Sequence, residues 1–437
     1  MVSKMENTRE IVLDGLLTSE KELCFSNNLI KDILDKYDYL ETRDKAFIKR
    51  LFEGCIERRI ELDYVLGLFC SVPVKKLKPL IRNLLRMGIY QILYMESVPD
   101  SAAINEAVKL SKKRGFAKLS GFVNANLRSV AKNKDDIKWP DKEKDIIKYL
   151  SVRYSVPEWL CEKWNDIYGA EETESILKSL LEVHPVTLRF RKNLSENELK
   201  EAVSRIAETG AKLYADERLP YIYRAEDVGG ITALPGYEEG LFTVQDISSC
   251  LAVEAAGIKK GDLVYDACAA PGGKSLLASE LTGDSGKVIS CDVSDAKVSK
   301  IEENISRLNA VNVQACARDA RHTEESLKGK VDVLILDVPC SGLGILGKKR
   351  DIKYNASPDI IRELVLLQWE IVSACYGYVK PGGRLVYSTC TINPDENENQ
   401  VMRICNELGF ELVGKPVQLL PDRDRCDGFF YAVLEKK

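Results

Sequence analysis

The chain is predicted to be α/β: an all-α helical N-terminal domain, then a small mixed α+β subdomain, then a doubly wound parallel sheet. Three observations carry this. Apolar residues recur at three-to-four spacing from about residue 8 to residue 130, the period of an amphipathic helix. From about Thr243 the pattern becomes strand, glycine-rich turn, helix, repeated, the mark of a parallel sheet covered by helices. Two of the late apolar runs, Val331-Asp-Val-Leu-Ile-Leu-Asp337 and Gly383-Arg-Leu-Val-Tyr387, lead directly into cysteine turns, Val338-Pro-Cys-Ser-Gly342 and Ser388-Thr-Cys390.

In chain order, Phe47-Ile-Lys-Arg-Leu51 and Leu80-Ile-Arg-Asn-Leu-Leu-Arg-Met-Gly-Ile-Tyr90 line up apolar side chains on one helical face. Asp100-Ser101 after Pro99 offers an N-cap. Residues 1–135 are therefore read as a helical domain, and 132–148, rich in Lys and Asp, as a linker or exposed helix start. Within 145–240, Pro157-Glu-Trp-Leu160, 172–181 and 197–209 read as helical, the last stopped by Gly210, and Pro185-Val-Thr-Leu-Arg-Phe190 as a strand. Within 241–437 the candidate strands are Val264-Tyr-Asp-Ala267, Lys287-Val-Ile-Ser-Cys-Asp292, Val311-Asn-Val-Gln-Ala315, 331–337, 384–387 and the tail Gly428-Phe-Phe-Tyr-Ala-Val-Leu-Glu435. Helices at 294–308 and 358–377 fall between them.

Composition narrows the function. A chain of 437 residues exceeds one ordinary core. Its 45% hydrophobic and 30% charged content is that of a globular protein. Met1-Val-Ser-Lys-Met-Glu-Asn7 has no apolar signal region and no stretch reaches membrane-spanning length, so a cytoplasmic protein with no membrane partner is expected; a monomer is assumed, the sequence itself not disclosing oligomeric state. Thirteen cysteines without a Cys-x-x-Cys pair, and two histidines, His184 and His322, make neither a disulfide scaffold nor a zinc set. Cys24, Cys55, Cys70, Cys161, Cys250, Cys316, Cys375 and Cys405 read as small buried hydrophobes. The net charge of −4 conceals an asymmetry: residues 1–150 hold 28 Lys+Arg against 22 Asp+Glu, and 75–148 hold 17 against 8. A basic end suggests a polyanionic partner.

The chemistry gathers at the carboxyl ends of the strands, where open α/β sheets bind ligands. After the first strand comes Asp266-Ala-Cys-Ala-Ala-Pro-Gly-Gly-Lys-Ser275, in which Gly272 and Gly273 let backbone approach a ligand and the following helix presents free N–H groups. It is neither a phosphate-binding Gly-x4-Gly-Lys loop nor a Gly-x-Gly-x-x-Gly loop. Asp292, Asp319 and Asp337 close the next three strands. A carboxylate at the second can accept both ribose hydroxyls, and one at the third an adenine amino group, so a nucleoside-cofactor site is read here. Cys340 and Cys390 are candidates for a nucleophile and a helper, and their spacing alone does not say which attacks. Tyr221, Tyr223, Phe242 and Phe429 are candidates to stack on bases, although core packing is the commoner fate of aromatics.

These motifs resemble the class I (Rossmann-like) S-adenosylmethionine-dependent methyltransferases. More narrowly, Asp266-Ala-Cys-Ala-Ala-Pro-Gly-Gly-Lys274, Asp337-Val-Pro-Cys-Ser-Gly-Leu-Gly344, Ser388-Thr-Cys390 and Asp427-Gly-Phe-Phe430 resemble the RNA cytosine-C5 methyltransferases. In front of them Asp44-Lys-Ala-Phe47, Val98-Pro-Asp-Ser-Ala-Ala-Ile-Asn-Glu-Ala-Val108 and Gly121-Phe-Val-Asn-Ala-Asn-Leu-Arg128 resemble the NusB-type RNA-binding domain. The combination is similar to the small-subunit ribosomal RNA methyltransferase B family over nearly the whole chain. The resemblance implies domains at 1–135 (NusB-like), 145–240 (small RNA-binding) and 241–437 (catalytic). It implies 16S ribosomal RNA as substrate, S-adenosylmethionine held by Cys268, Ala269, Ala270, Pro271, Gly272, Gly273, Lys274, Asp292, Asp319 and Asp337, and no metal. It also implies Cys390 as nucleophile, Cys340 as an aid to product release, and Arg128 as an RNA-facing residue. The turn 341–353 would shape the nucleotide pocket. The other readings are methylation of another RNA such as tRNA, an adenine amino-methyltransferase, which would carry Asp/Asn-Pro-Pro-aromatic in place of Asp337-Val-Pro-Cys340, and a non-catalytic RNA-binding assembly or antitermination factor.

Overall fold

The structure, a computed structural model, describes residues 7–22, 26–182 and 185–437; Cys24 and His184 lie outside the described residues. The chain forms two compact units, one of residues 1–181 with 346–355, the other of 182–345 with 356–437.

The first unit is helical, as the periodicity predicts: α1 (Thr8–Glu22), α2 (Ser26–Lys36), α3 (Thr42–Glu57), α4 (Arg59–Phe69), α5 (Pro79–Tyr94), α6 (Asp100–Lys113), α7 (Ser120–Lys132), α8 (Ile146–Tyr154), α9 (Glu158–Tyr168) and α10 (Ala170–Leu181). Helix α5 lies at its centre, starting with Pro79 in its first turn and burying residues all around its circumference. The buried Arg86 of this unit is paired: 6% exposed, it reaches Asp63 and Glu20 at 2.7 and 2.5 Å.

The second unit holds two sheets. The smaller is antiparallel, order β2-β3-β1-β4, built from β1 (Val186–Phe190), β2 (Lys212–Ala215), β3 (Ile222–Glu226) and β4 (Phe242–Val244) with α11 (Glu196–Ala207). Ser195 and Glu198 form a capping box at the start of α11.

The larger sheet begins after α12 (Ile247–Ala255). It comprises β5 (Leu263–Asp266), β6 (Lys287–Asp292), β7 (Val313–Ala317), β8 (Val331–Asp337), β9 (Val379–Thr389), β10 (Phe410–Leu412), β11 (Val417–Leu419) and β12 (Phe429–Lys436). Strands β5 to β9 are parallel and β12 runs antiparallel against β9, in the order β10-β12-β9-β8-β5-β6-β7 with β11 paired to β12. Between and after them run α13 (Gly273–Thr282), α14 (Asp295–Arg307), the short α15 (Ile352–Asn355), which belongs to the first unit, α16 (Pro358–Cys375), α17 (Glu398–Leu408) and α18 (Pro421–Asp424).

Both sheet faces are buried, which is why β8 reads as one apolar run. Val333 and Ile335 pack with Ile247, Val253 and Leu277 of α12 and α13, and Leu334 and Leu336 pack with Ile371, Val401 and Ile404 of α16 and α17. Cys55, Cys161, Cys250 and Cys375 are buried free thiols, while Cys70 and Cys405 are half-buried. Cys316 departs from the expectation of a free thiol: the β6·β7 register sets it opposite Cys291, and the two are joined as a disulfide with Cα atoms 4.9 Å apart.

Candidate active site

Strand β5 delivers the glycine turn to the start of α13, and the turn is fastened to the neighbouring strand. Ala269 donates its N–H to Cys291 O at 2.8 Å and Ala270 its N–H to Asp292 Oδ2 at 3.0 Å. Gly272 sits at φ +104°, a left-handed conformation in which a side chain is strained, and a Cβ on Gly273 would stand 3.1 Å from the Gln245 amide. The turn thus leaves open backbone where the sequence placed a ligand. Its first residue, Asp266, is fully buried. Its Oδ2 accepts from the Ser275 hydroxyl at 2.7 Å, while Oδ1 and the neighbouring Gln245 Nε2 find no protein partner. Burial pushes the Asp266 carboxyl up to about 7. Burial and the nearby Asp266 and Asp292 carboxylates likewise push the Cys268 thiol well up.

The other strand-end acids are all engaged. Asp292 accepts from Val293 N at 2.8 Å and from Lys297 Nζ at 2.9 Å. Asp319 lies two residues past β7, where the Arg321 guanidinium and amide grip it and hold its carboxyl down at about 2. Asp337 accepts from Lys274 Nζ at 2.6 Å and Ser388 Oγ at 2.8 Å, so it stands as an acceptor with a cation beside it. Lys274 also lies over the Phe429 ring, 5.3 Å from its centroid.

The two thiol turns meet because of register. Asp337 of β8 pairs with Ser388 of β9 in a parallel ladder, so the turns that follow leave the sheet side by side from the same edge. Cys340 Sγ and Cys390 Sγ are 3.2 Å apart, both half-buried. The hydrogen bond with Cys390, together with burial, pushes the Cys340 thiol well above the ordinary range. Gly344 N–H donates to Cys390 O at 3.1 Å and Gly428 N–H to Gly344 O at 2.9 Å, an approach that a side chain on Gly344 would block.

Two expectations change. The turn 341–353 divides after Ile345: 341–345 stays with the thiols, and 346–355 belongs to the helical unit. There Ser26 donates its N–H and hydroxyl to Asp351, Arg350 pairs with Glu57 at 2.9 Å, and Arg59 lies over Tyr354, 3.6 Å from the ring centroid. Lys353, 2% exposed, donates to Glu57 O at 2.7 Å, and burial draws its amine down to about 7. These cations are engaged within the protein. Of the aromatics offered for stacking, Phe242 is fully buried against Phe190 and Tyr237, Tyr221 is buried with its hydroxyl on Glu254, and Phe429 is 2% exposed. Tyr223 stands edge-on to Phe190 at 5.4 Å. Phe242, Tyr221 and Phe429 serve the core, and Tyr223 is half-buried at its margin.

One group escaped the sequence reading. Glu396, fully buried, accepts from Ser341 N, Ser341 Oγ, Gln368 Nε2 and Asn393 Nδ2 at 2.8, 2.5, 3.1 and 2.9 Å. The available signal was the run Asn393-Pro-Asp-Glu-Asn397, polar residues a few positions beyond a cysteine turn. Among the described residues no three His, Cys, Asp or Glu side chains gather as a metal site, and no helix is long and apolar enough to cross a membrane.

With this geometry in hand, known proteins give it context. Residues 255–435 match the family described as 16S rRNA methyltransferase RsmB/F, and 6–132 match the NusB family. A Bacillus subtilis protein named "Probable ribosomal RNA small subunit methyltransferase B" is 33% identical over 99% of this chain and all of its own length. A Synechocystis protein of the same name is 34% identical over 99% of this chain and all of its own. The crystal structure of PH0851 superposes with a TM-score of 0.81 at 25% identity over 99% of both chains. A methyltransferase homologue from Pyrococcus horikoshii shares the fold over 67% of this chain and all of its own, with a TM-score of 0.60 at 24% identity.

Proposed function

The chain belongs to the 16S rRNA methyltransferase RsmB/F family, and from that premise we propose that it methylates carbon 5 of a cytosine in 16S ribosomal RNA through a transient cysteine adduct. One observation carries this reading: two thiols in sulfur contact, 3.2 Å apart, at the ends of paired strands whose last residues include Asp337. A single thiol suffices for addition and elimination; a second one in contact with the first, hydrogen-bonded sulfur to sulfur, is what assisted release would use.

S-adenosylmethionine supplies an electrophilic methyl group when bound, leaving S-adenosylhomocysteine. The residues fit it. The turn Cys268, Ala269, Ala270, Pro271, Gly272, Gly273 and Lys274 offers open backbone at Gly272 and Gly273, unpartnered polar atoms stand on Asp266 at the end of β5 and on Gln245 against Gly273, and Asp292 and Asp337 close adjoining strands. In this reading Asp292 accepts from the ribose hydroxyls and Asp319 from the adenine amino group, exchanging Lys297 and Arg321 for those donors.

Carbon 5 of cytosine is a poor nucleophile. Addition of the Cys390 thiolate to C6 forms a sulfur–carbon bond and makes C5 enamine-like. Asp337 accepts from the amino edge of the ring, and the Lys274 ammonium it holds beside that edge offsets the negative charge that develops on the ring as C6 is attacked. Once C5 is methylated, a base removes its proton, the C6–sulfur bond breaks and the electron pair returns to Cys390. Cys340, touching the departing sulfur, assists that release. The base must be out of any stack to be reached, so an unpaired RNA site is the target. The helical unit holds the RNA, with Arg128 exposed on α7.

The test is methylation of transcribed 16S rRNA with an isotopically labelled methyl donor, followed by digestion to nucleosides and mass spectrometry. Label in 5-methylcytidine is expected. Label in another nucleoside, or only in added tRNA, overturns the proposal.

A further inference from the structure

We propose that Glu396 and Asn397 are positioning residues: adjacent jaws of one clamp, Glu396 holding the Cys340 turn and Asn397 the Cys390 turn, which together fix the contact between the two sulfurs. The inference deepens the adduct reading above and rests on it for its catalytic consequence.

The geometry is reciprocal. Glu396 takes the Ser341 N–H and hydroxyl, just after Cys340. Gln368, which also donates to Glu396, holds Pro339 O at 3.0 Å, just before Cys340. Asn397 accepts from Thr389 Oγ1 at 2.6 Å and donates to Thr391 O at 3.1 Å, one bond on each side of Cys390. The Ser341 and Thr391 hydroxyls, 2.8 Å apart, tie the two turns together. Tyr387 donates its hydroxyl to Glu396 O at 2.7 Å, fixing the clamp to β9.

Two features set this apart from ordinary loop bonding. Glu396 is fully buried, yet no Lys, Arg or His pairs with it among the described residues. A buried carboxylate without a cation is costly unless its donors are complete, and here they are supplied by neutral groups around Cys340. Asn397 stands at the N-cap of α17, where asparagine usually caps the helix with its side chain, but it makes no capping bond. Its side chain serves the Cys390 turn instead. The buried charge also bears on the proton of the pair: Glu396 is among the groups that raise the Cys340 thiol, after its hydrogen bond to Cys390 and burial. The other titratable groups facing the pair are Tyr387, Asp337 and Lys274.

The two jaws have different signatures. In Glu396→Gln, release is disturbed: kcat falls by about 10²-fold, KM for RNA falls with it so that kcat/KM stays within about twofold, and an enzyme–RNA adduct absent from the wild type appears on denaturing gels. In Asn397→Ala, addition is disturbed: kcat falls similarly and no adduct accumulates. The double variant loses little more than either single one, because the residues act as a unit. Wild-type kcat in either folded variant, or the same adduct behaviour in both, overturns the proposal. If E396Q does not fold, S341A is read in its place, with the same adduct expected and the same contrary results. A readout without RNA separates this inference from the proposed reaction: the rate at which iodoacetamide alkylates Cys340 relative to Cys390 should rise severalfold in E396Q, because the Cys340 turn loses its anchor and a carboxylate that helps raise its thiol. An unchanged ratio removes the clamp even if wild type methylates cytosine. A changed ratio in a chain that methylates no cytosine keeps the clamp and removes the reaction.

Discussion

The sheet edge that carries the site has two halves built on opposite plans. On the side proposed to hold the cofactor the acids meet cations: Asp292 with Lys297, Asp319 with Arg321, Asp337 with Lys274. Lys297 and Arg321 are about half exposed, and such pairs are worth little and exchange readily for a ligand's donors. On the thiol side the carboxylate of Glu396 is sealed among neutral donors. One half keeps acceptors ready for something that comes and goes; the other fixes two sulfurs that must not wander. The contrast recurs within single residues. Asp266 and Glu396 are both fully buried, yet Glu396 takes bonds on both oxygens and Asp266 on one.

The largest effect that can break this comparison comes from the thiol half. Cys390→Ala should lower methylation by about 10⁴-fold or more, as removal of a nucleophile does, with cofactor affinity by calorimetry unchanged; an altered affinity would mean the halves are not separate. Next, Asp337→Asn, at the seam between them, should cost about 10²-fold in kcat, typical of losing one charge-stabilising contact, in the methylation assay. Asp292→Asn should weaken S-adenosylmethionine binding by about tenfold, near 1.4 kcal/mol, while leaving the iodoacetamide reactivity of Cys340 and Cys390 as it was.

The smallest effect concerns Asp266. Its carboxyl holds a proton up to about pH 7 in the fold, because burial outweighs the Ser275 hydrogen bond, while its unperturbed value is 3.8. A raised pKa means that the stabilising contribution is complete below about pH 4 and lost as pH rises to about 7. Thermal melts of wild type and Asp266→Asn should therefore draw together, or cross, over that range, with wild type losing ground as pH increases. A constant difference would place Asp266 in a different environment.

Much of this was legible in the sequence because parallel strands buried on both faces write themselves as apolar runs. Strands at 331–337 and 287–292 and the acids closing them were read at their observed positions. What escaped depends on information that no local pattern holds. The Cys291–Cys316 link follows from the register of two strands that each look complete alone. Asp319 was legible as a turn acid, but its grip by Arg321 was not. Phe242 and Tyr221 were offered to RNA because aromatics look alike until a fold decides which way they face. Glu396 and Asn397 lie in an irregular polar segment with no period, and only the meeting of two turns gives them a purpose.

The central claim is the division of labour between the two thiols, and one measurement addresses it directly. Cys340→Ala and Cys390→Ala are each incubated with S-adenosylmethionine and 16S rRNA and run on a denaturing gel. A slow-migrating protein–RNA band is expected with Cys340→Ala, which can add but not release, and none with Cys390→Ala. A band with Cys390→Ala and none with Cys340→Ala would reverse the roles and contradict the account.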